Sequence, residues 1–535
     1  MAYYVTTPIY YVNAEPHLGH AYTTIAADIL ARHMRQRGEE VFFLTGTDEH
    51  GEPVAQAAER LGTTPSELAD RNSVRFRDLV ARLGVTNDFF IRTTDDDHAR
   101  GVSEILQRIY DGGHVYSGTY EGWYCPRCAD FKTDNEVEDG DRCPVHKIEL
   151  EREKEDNYFF RLSAFQEPLE RLYAERPDFV LPRNRFNEAL SFIKGGVNDV
   201  SLSRASLSWG VPIPWDPRHV VYVWFDALLN YYTALSYAGE QNAGLSREQN
   251  TTRSPAAGGG MELSGTGERD LTERFWPPTV QLIGKDILKF HAVIWPALLM
   301  AADLPTPGRI FSHGYLLIDE QKMSKSLGNV IDPFQVIETH GTDALRHYLF
   351  RQVGFGQDGS VSTATFATRY TTELANEYGN LAARTLAMIH RYRDGVIPQA
   401  AAPAALASAF EGLAERVCGH FDRVEVSAAL DEIWSTVRRL NQYVQDQAPW
   451  QLAKDPGAAA SLDSILYGLV EGLRVVATLL LPFLPDASGR LLSALGQVDD
   501  SLAAAVYGSM AGGAQIEPLA PLFPKVEAEA EPAAI

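Results

Sequence analysis

The stretch Pro16-His17-Leu18-Gly19-His20 lies between an aromatic and β-branched run, Tyr3-Tyr4-Val5-Thr6-Thr7, and a segment in which Ile25, Ile29 and Leu30 recur at helical spacing. A buried strand, a break at Asn13 and Pro16, and an amphipathic helix account for this order. The two histidines then fall at a strand-to-helix turn, where the first helical amides point outward unpaired and the helix dipole favours an anion. Two imidazoles placed there can donate to one phosphate, and Gly19 between them leaves room for a nucleotide against the backbone. Taken alone the pattern also suits a satisfied surface turn, so the other half of a nucleotide site has to be found elsewhere. Downstream, Val41-Phe42-Phe43-Leu44 reads as a second strand running into Thr45-Gly46-Thr47-Asp48-Glu49-His50-Gly51, which completes a βαβ unit. Ligands of open α/β sheets sit beyond the carboxyl ends of the strands, so Asp48 and His50 belong on the same edge as His17 and His20.

With 535 residues, 45% of them hydrophobic, the chain has material for about three or four domains. No basic n-region precedes an apolar N-terminal stretch, and the longest greasy run, from Val475 to Leu484, is interrupted at Pro482 and too short to span a bilayer. A cytoplasmic protein without a membrane partner is the expectation. Lys and Arg total 48 against 71 Asp and Glu, a net charge of −23, so the chain as a whole repels a polyanion and any nucleic-acid site must be a local patch. Of the four cysteines, three cluster at 125, 128 and 143, which argues against a disulfide scaffold and for a metal.

That cluster is Cys125-Pro126-Arg127-Cys128 followed by Cys143-Pro144-Val145-His146. Each turn presents two soft ligands on one side of a bend, and together Cys125, Cys128, Cys143 and His146 make the tetrahedral set that a closed, structural zinc prefers. Residues 239–272 are rich in glycine, serine and threonine and read as a disordered surface insertion. On either side, Val220-Val221-Tyr222-Val223-Trp224-Phe225 and Thr279-Val280-Gln281-Leu282-Ile283 read as two further buried strands, the second leading into Gly284-Lys285-Asp286. After a strand at Tyr315 to Ile318 comes Lys322-Met323-Ser324-Lys325-Ser326, then Gly328. Such a loop can close over a triphosphate and neutralise charge building on a leaving pyrophosphate, although most basic loops are merely solvated. From Phe366 the strand signals end. Stripes at Phe366, Tyr370, Leu374 and Tyr378, at Leu430, Ile433, Trp434, Val437 and Val444, and at Leu462, Ile465, Leu466, Leu469 and Leu473 read as the core of a helical bundle. The expected fold is therefore α/β: a split Rossmann-like parallel sheet (1–115 and 220–308), a connective insertion with the zinc knuckle (116–219), a loop and stem-contact region (309–362), an all-α bundle (363–518) and a tail (519–535).

The histidine motif and the Lys-Met-Ser-Lys-Ser motif, in that order across a split nucleotide-binding sheet, resemble the signatures of class I aminoacyl-tRNA synthetases. The knuckle, Tyr222-Val223-Trp224-Phe225-Asp226-Ala227, Phe290-His291 and Gln447-Ala448-Pro449-Trp450 narrow the resemblance to the methionyl-tRNA synthetases, in the bacterial form with one Cys3His zinc. It implies ATP, L-methionine and methionine tRNA, elongator and initiator, as partners, with magnesium accompanying ATP and one structural zinc per chain. It assigns catalysis to His17, His20, Lys322 and Lys325, and ATP binding to these with Gly19, Gly284 and Asp286. Methionine would be surrounded by Ile9, Tyr11, Asp48, Trp224, Ala227, Leu228, Tyr231, Ile287, His291 and Trp295, with Asp48 on the ammonium and the aromatics around the thioether. The CAU anticodon would be read by Asn380, Arg384 and Trp450. A monomer is expected, because the dimerising C-terminal appendage of some relatives is missing. The rivals fit less well: 116–219 is too short for an editing domain beside the knuckle, Tyr3 to His50 has no cysteine for a zinc-dependent amino-acid pocket, and a simple nucleotidyltransferase has no use for the bundle. A non-catalytic tRNA-binding paralogue would have lost motif residues that are all present.

Overall fold

A computed structural model describes residues 2–125, 130–132, 137–138, 140–144, 147–245, 269–318 and 332–525. The chain begins β1 (Ala2–Thr6), β2 (Tyr10–Tyr11), α1 (Leu18–Gln36), β3 (Glu40–Asp48), α2 (Glu52–Leu61), α3 (Pro65–Arg82), β4 (Phe89–Arg92) and α4 (Asp96–Asp111). Local chemistry sets several of these boundaries. α3, for example, starts at a reciprocal capping box between Thr64 and Glu67 with Pro65 in its first turn. A long antiparallel ribbon of β5 (Val115–Cys125) and β6 (Glu151–Phe160) then leaves the sheet, and β7 (Val180–Leu181) returns to its edge. α5 (Val223–Leu245), β8 (Val280–Gly284) and β9 (Arg309–His313) complete the α/β part.

The seven strands of the main sheet run in the order β2-β3-β1-β8-β9-β7, with β4 also on β3, and every pair is parallel. The order reverses between β1 and β8, and at such a switch point open α/β sheets take their ligands, beyond the carboxyl ends of the strands. β3 and β4 approach so closely that a Cβ on Gly46 would run into the Ile91 carbonyl.

Two expectations need correcting. Val220 to Phe225 is not a strand of this sheet: Asp216–Val221 belongs to a small antiparallel sheet, and α5 begins at Val223, with the Phe225 and Asp226 amides donating to the Tyr222 carbonyl. An unbroken apolar run carries no period that separates buried strand from buried helix. The glycine-rich insertion also starts later than its composition suggests, because α5 continues through residues 239–245 and Thr272–Phe275 is helical; residues 246–268 lie outside the described residues.

Beyond β9 the described chain is mainly helical, including α6 (Thr342–Gln352), a π-helical stretch Tyr370–Gly379, α7 (Asn380–Arg393), α8 (Val426–Gln447) and α9 (Ala459–Leu480). All three apolar stripes are buried. They share one cluster with Ile25, Ile29 and Leu30 on α1, so the bundle is packed onto the helix that carries the histidine motif. A fully buried cation pins the junction: Arg346 on α6 meets Asp28 of α1 at 2.7 Å and donates to the carbonyls of Pro482 and Phe483. No helix among the described residues is long and apolar enough to cross a membrane.

Candidate active site

His17 is the N-cap of α1, and the two imidazoles close a reciprocal box. The Gly19 amide donates to His17 Nδ1 and the His17 amide donates to His20 Nδ1, each at 3.1 Å. A backbone amide can only donate, so both Nδ1 atoms must be bare, and in a neutral imidazole the proton then sits on Nε2. Burial, reinforced for His20 by its neighbour, lowers both imidazoles from their ordinary range. The rings stack at 3.7 Å and 23°, while Tyr10 and Phe76 flank His20. Two neutral Nε2–H donors are thus held side by side at a helix N-terminus, suited to an anion's oxygens. Gly19 also serves the cap. A Cβ there would come within 3.0 Å of the His17 ring, so its bareness makes room for the cap itself.

Across the switch point, β8 ends at Gly284 beside His313 at the end of β9. The His313 Nδ1 faces the Gly314 carbonyl and its Nε2 takes the Thr23 hydroxyl at 2.7 Å, which ties β9 to the second turn of α1. Sequence reasoning missed His313, since nothing local marks it. Gly284 and the exposed Asp286 lie at this edge, the Asp286 carboxylate folding over the Gly284 α-carbon. Lys322 and Lys325 lie outside the described residues. The segment leading to them, Leu316–Ile318, pairs with Gly359–Val361, and Asp358 accepts from both the Tyr315 amide and Lys285.

On the β3 side, three carboxylates crowd together and only one is open. Glu49 is saturated by a two-pronged bond from Arg92 at 2.8 Å and by the Thr47 and Thr94 hydroxyls. Asp226 takes His50 Nδ1 on one oxygen at 2.7 Å and His98 Nε2 on the other at 2.9 Å. Burial works against its charge, but the two imidazoles outweigh that and hold it at about 2. Asp48 is 3% exposed, and its Oδ1 has no hydrogen-bond partner. Burial, then the charges of Asp226 and Glu49, push its carboxyl well above the usual range. A buried carboxylate oxygen in that condition is short of one cation.

The expected apolar residues gather beside it. Trp224 stacks on Phe290 at 3.8 Å, Tyr11 meets Trp224 edge-on, and Tyr231 lies 6.0 Å from Trp295. Leu228, Tyr231 and Trp295 are buried in the same cluster, Ile9, Tyr11 and Ile287 are half-buried against it, and Ala227 is buried on α5. His291 is the polar exception. Its Nδ1 faces the Ile287 carbonyl at 3.0 Å and so carries the proton, leaving Nε2 to accept from the Tyr231 hydroxyl at 2.8 Å. Burial brings this imidazole down to about 4, so it stays neutral. The π-helical turn Phe290–Ile294 carries His291 and leads directly into Trp295.

Family comparisons agree with this geometry. The model described as tRNA synthetases class I (M) matches residues 3–386, and one described as the anticodon binding domain of methionyl tRNA ligase matches residues 397–533. The chain belongs to the class I methionyl-tRNA synthetases. It is 43% identical to methionine--tRNA ligase of Mycobacterium leprae, over 98% of this chain and 95% of that protein, and 42% identical to the Streptomyces coelicolor enzyme, over 98% and 97%. The crystal structure of Mycobacterium tuberculosis methionyl-tRNA synthetase bound by methionyl-adenylate superposes with a TM-score of 0.88 at 40% identity, covering 98% of this chain and all of that one.

Two more sets of expected residues belong to the synthetase's outlying parts. In the bundle, Asn380 is exposed at the start of α7, and Arg384 is half-buried, one Nη 3.4 Å from Asn441 and its buried Nε without a partner. α8 ends at Gln447, where Ala448 takes a left-handed conformation with φ of 41°, and Trp450 follows, half-buried against the bundle core. In the knuckle, Cys125 and Cys143 are both buried in a small cluster with Leu150, packed by Trp123, Val137 and Ile148. Cys128 and His146 lie outside the described residues.

Proposed function

We propose that this synthetase joins L-methionine to methionine tRNA in two steps, and the buried, unsatisfied Asp48 carboxylate beside the aromatic pocket is the observation that carries the reading. An α-ammonium supplies the cation that Asp48 lacks, while an unbranched thioether suits a wall of polarisable rings. The methionine carboxylate attacks the α-phosphate of ATP, which enters as its magnesium complex; the new O–P bond forms as the bond to pyrophosphate breaks. A ribose hydroxyl at the 3′ end of the tRNA then attacks the methionyl carbonyl carbon, loses its proton, and AMP leaves. No protein nucleophile is needed, so positioning and charge stabilisation supply the rate. The His17 and His20 Nε2–H groups donate to phosphate oxygens, with Gly284 and Asp286 on the adenosine side. Because both imidazoles are neutral, the positive charge that the protein itself adds to that of magnesium would come from Lys322 and Lys325. Methionine alone among the natural amino acids is expected to drive ATP–pyrophosphate exchange strongly, while linear analogues one methylene away are disfavoured by about 1–3 kcal/mol. Exchange driven by cysteine or isoleucine without a response to methionine would end this reading.

Anticodon reading is assigned to Asn380, Arg384 and Trp450. Asn380 and Arg384 stand four residues apart on α7, the spacing that puts two side chains on one face. Trp450→Ala is expected to weaken aminoacylation about tenfold to a hundredfold, from the loss of about 1–3 kcal/mol of stacking, and to leave adenylate formation unchanged. A parallel fall in both reactions with a lower melting temperature would mark Trp450 as core.

The knuckle fits zinc on chemical grounds: two of the four expected ligands, Cys125 and Cys143, are buried in one small cluster, and the Cys143 carbonyl accepts the Lys147 amide at 2.8 Å. Bound there, the metal would cross-link the two turns and take no part in catalysis. Elemental analysis is expected to find about one zinc per chain; an active protein free of metal would refute the ligand set. A cytoplasmic monomer serving initiator and elongator tRNA alike completes the proposal.

A further inference from the structure

Asp226 is not among the residues assigned to methionine, yet its side chain ties together three elements around the pocket. It stands in the first turn of α5, between Trp224 and Ala227, and is fully buried. One carboxylate oxygen receives His50, two residues past Asp48; the other receives His98 on α4, whose remaining nitrogen takes the Thr233 hydroxyl of α5 at 2.6 Å. The proton positions are consistent throughout, with His50 Nδ1–H and His98 Nε2–H donating to the carboxylate and Thr233 donating to His98 Nδ1. The loop after β3 is also seated on α5 directly, since Gly51 packs so closely on Val223 that a Cβ would come within 3.0 Å of it. Trp209 covers His50 edge-on at 5.3 Å, its indole donating to the Glu49 carbonyl at 2.7 Å.

We propose that Asp226 is a positioning residue for the amino acid: by gripping His50 and His98 it sets the Asp48 carboxylate at the separation from the Trp224, Leu228 and Tyr231 wall that the ammonium and thioether of a single methionine require. This rests on Asp48 being the ammonium ligand. Fully buried, with each oxygen already held by an imidazole, Asp226 acts through the placement of Asp48 and not on the substrate itself. In Asp226→Asn one oxygen becomes an NH2 group that opposes an imidazole N–H, so one arm of the grip is lost.

The test compares methionine with γ-methylthiobutyrate, which keeps the thioether and lacks the amino group. In the full-length enzyme, Asp226→Asn is expected to raise KM for methionine about tenfold or more, while KM for ATP and the inhibition constant of γ-methylthiobutyrate stay within about twofold. If Asp226→Asn does not fold, His98→Ala provides the same test from the other end and is expected to raise KM for methionine similarly, whereas His98→Gln, which keeps a donor near the position of Nε2, restores it. An unchanged methionine KM in the folded variants, or an equal loss for methionine and γ-methylthiobutyrate, overturns the positioning role. Asp48→Asn is the separate control: if it leaves methionine KM unchanged, the reading of Asp48 itself falls, and the proposal with it.

Discussion

His20→Ala is expected to slow adenylate formation by about 10² to 10³, the usual effect of removing one pre-aimed donor from developing charge. The structure makes the interpretation of this variant demanding, because His20 does two jobs: its Nδ1 caps the His17 amide, which leaves its Nε2–H as the donor for an anion. Losing a cap costs about 0.5–2 kcal/mol of stability and would disturb His17 as well. Asn at position 20 separates the two roles. Its side-chain oxygen can stand where Nδ1 stands and accept the His17 amide, but nothing reaches the position of Nε2. His20→Asn is therefore expected to melt near the parent temperature and to remain as slow as His20→Ala in pre-steady-state adenylate formation. Recovery of the rate in His20→Asn would reduce the histidine to a cap.

Asp48→Asn is expected to raise KM for methionine by about 10² to 5 × 10³, the loss of about 3–5 kcal/mol that follows when one partner of a buried ion pair is removed. KM for ATP should not follow. Two further signs come from the raised carboxyl of Asp48 in the empty site. Below its raised pKa the free enzyme carries a proton that an incoming ammonium must expel, so methionine KM falls as pH rises through that range and levels off above it. Asp48→Asn, having no such proton, loses this slope. The unliganded variant is also expected to melt higher than the parent at neutral pH. A group whose folded pKa lies above its unfolded one favours the fold below the unfolded value, and that favour is lost as pH rises through the folded one. The buried carboxyl thus opposes folding at neutral pH, where the unfolded chain would hold it ionised in water, and Asn removes that cost. A methionine KM that is flat with pH in the parent enzyme would show that Asp48 does not meet the ammonium.

Much of this protein could be read from local sequence. A strand-turn-helix around Pro16 to His20, the second strand ending at Asp48, the helical stripes after Phe366 and the end of α8 before Ala448-Pro449 follow from period, breakers and the steric rule before proline. These are interactions among neighbours in the chain, so neighbours suffice to predict them. The same patterns failed at Val220 to Phe225, where an apolar run without period became the end of one element and the start of another.

The family resemblance singled out Asp48 among the carboxylates, but the physical reason for that choice needed the folded molecule. Asp48 and Glu49 are adjacent in sequence and chemically alike, and only Arg92, placed by a parallel neighbour strand, takes Glu49 out of contention. Asp226 is removed in the same way by His50 and His98, which lie 176 and 128 residues away along the chain. The histidine pair was visible as a motif, but which nitrogen of each ring carries the proton was decided by the amides folded against them. Sequence alone determined the elements that carry a clear period or breaker and the residue types at their ends, because those depend on local backbone preference. Tertiary structure alone decided which polar groups are already satisfied and which are left for a substrate, because that depends on what distant segments bring within hydrogen-bond reach.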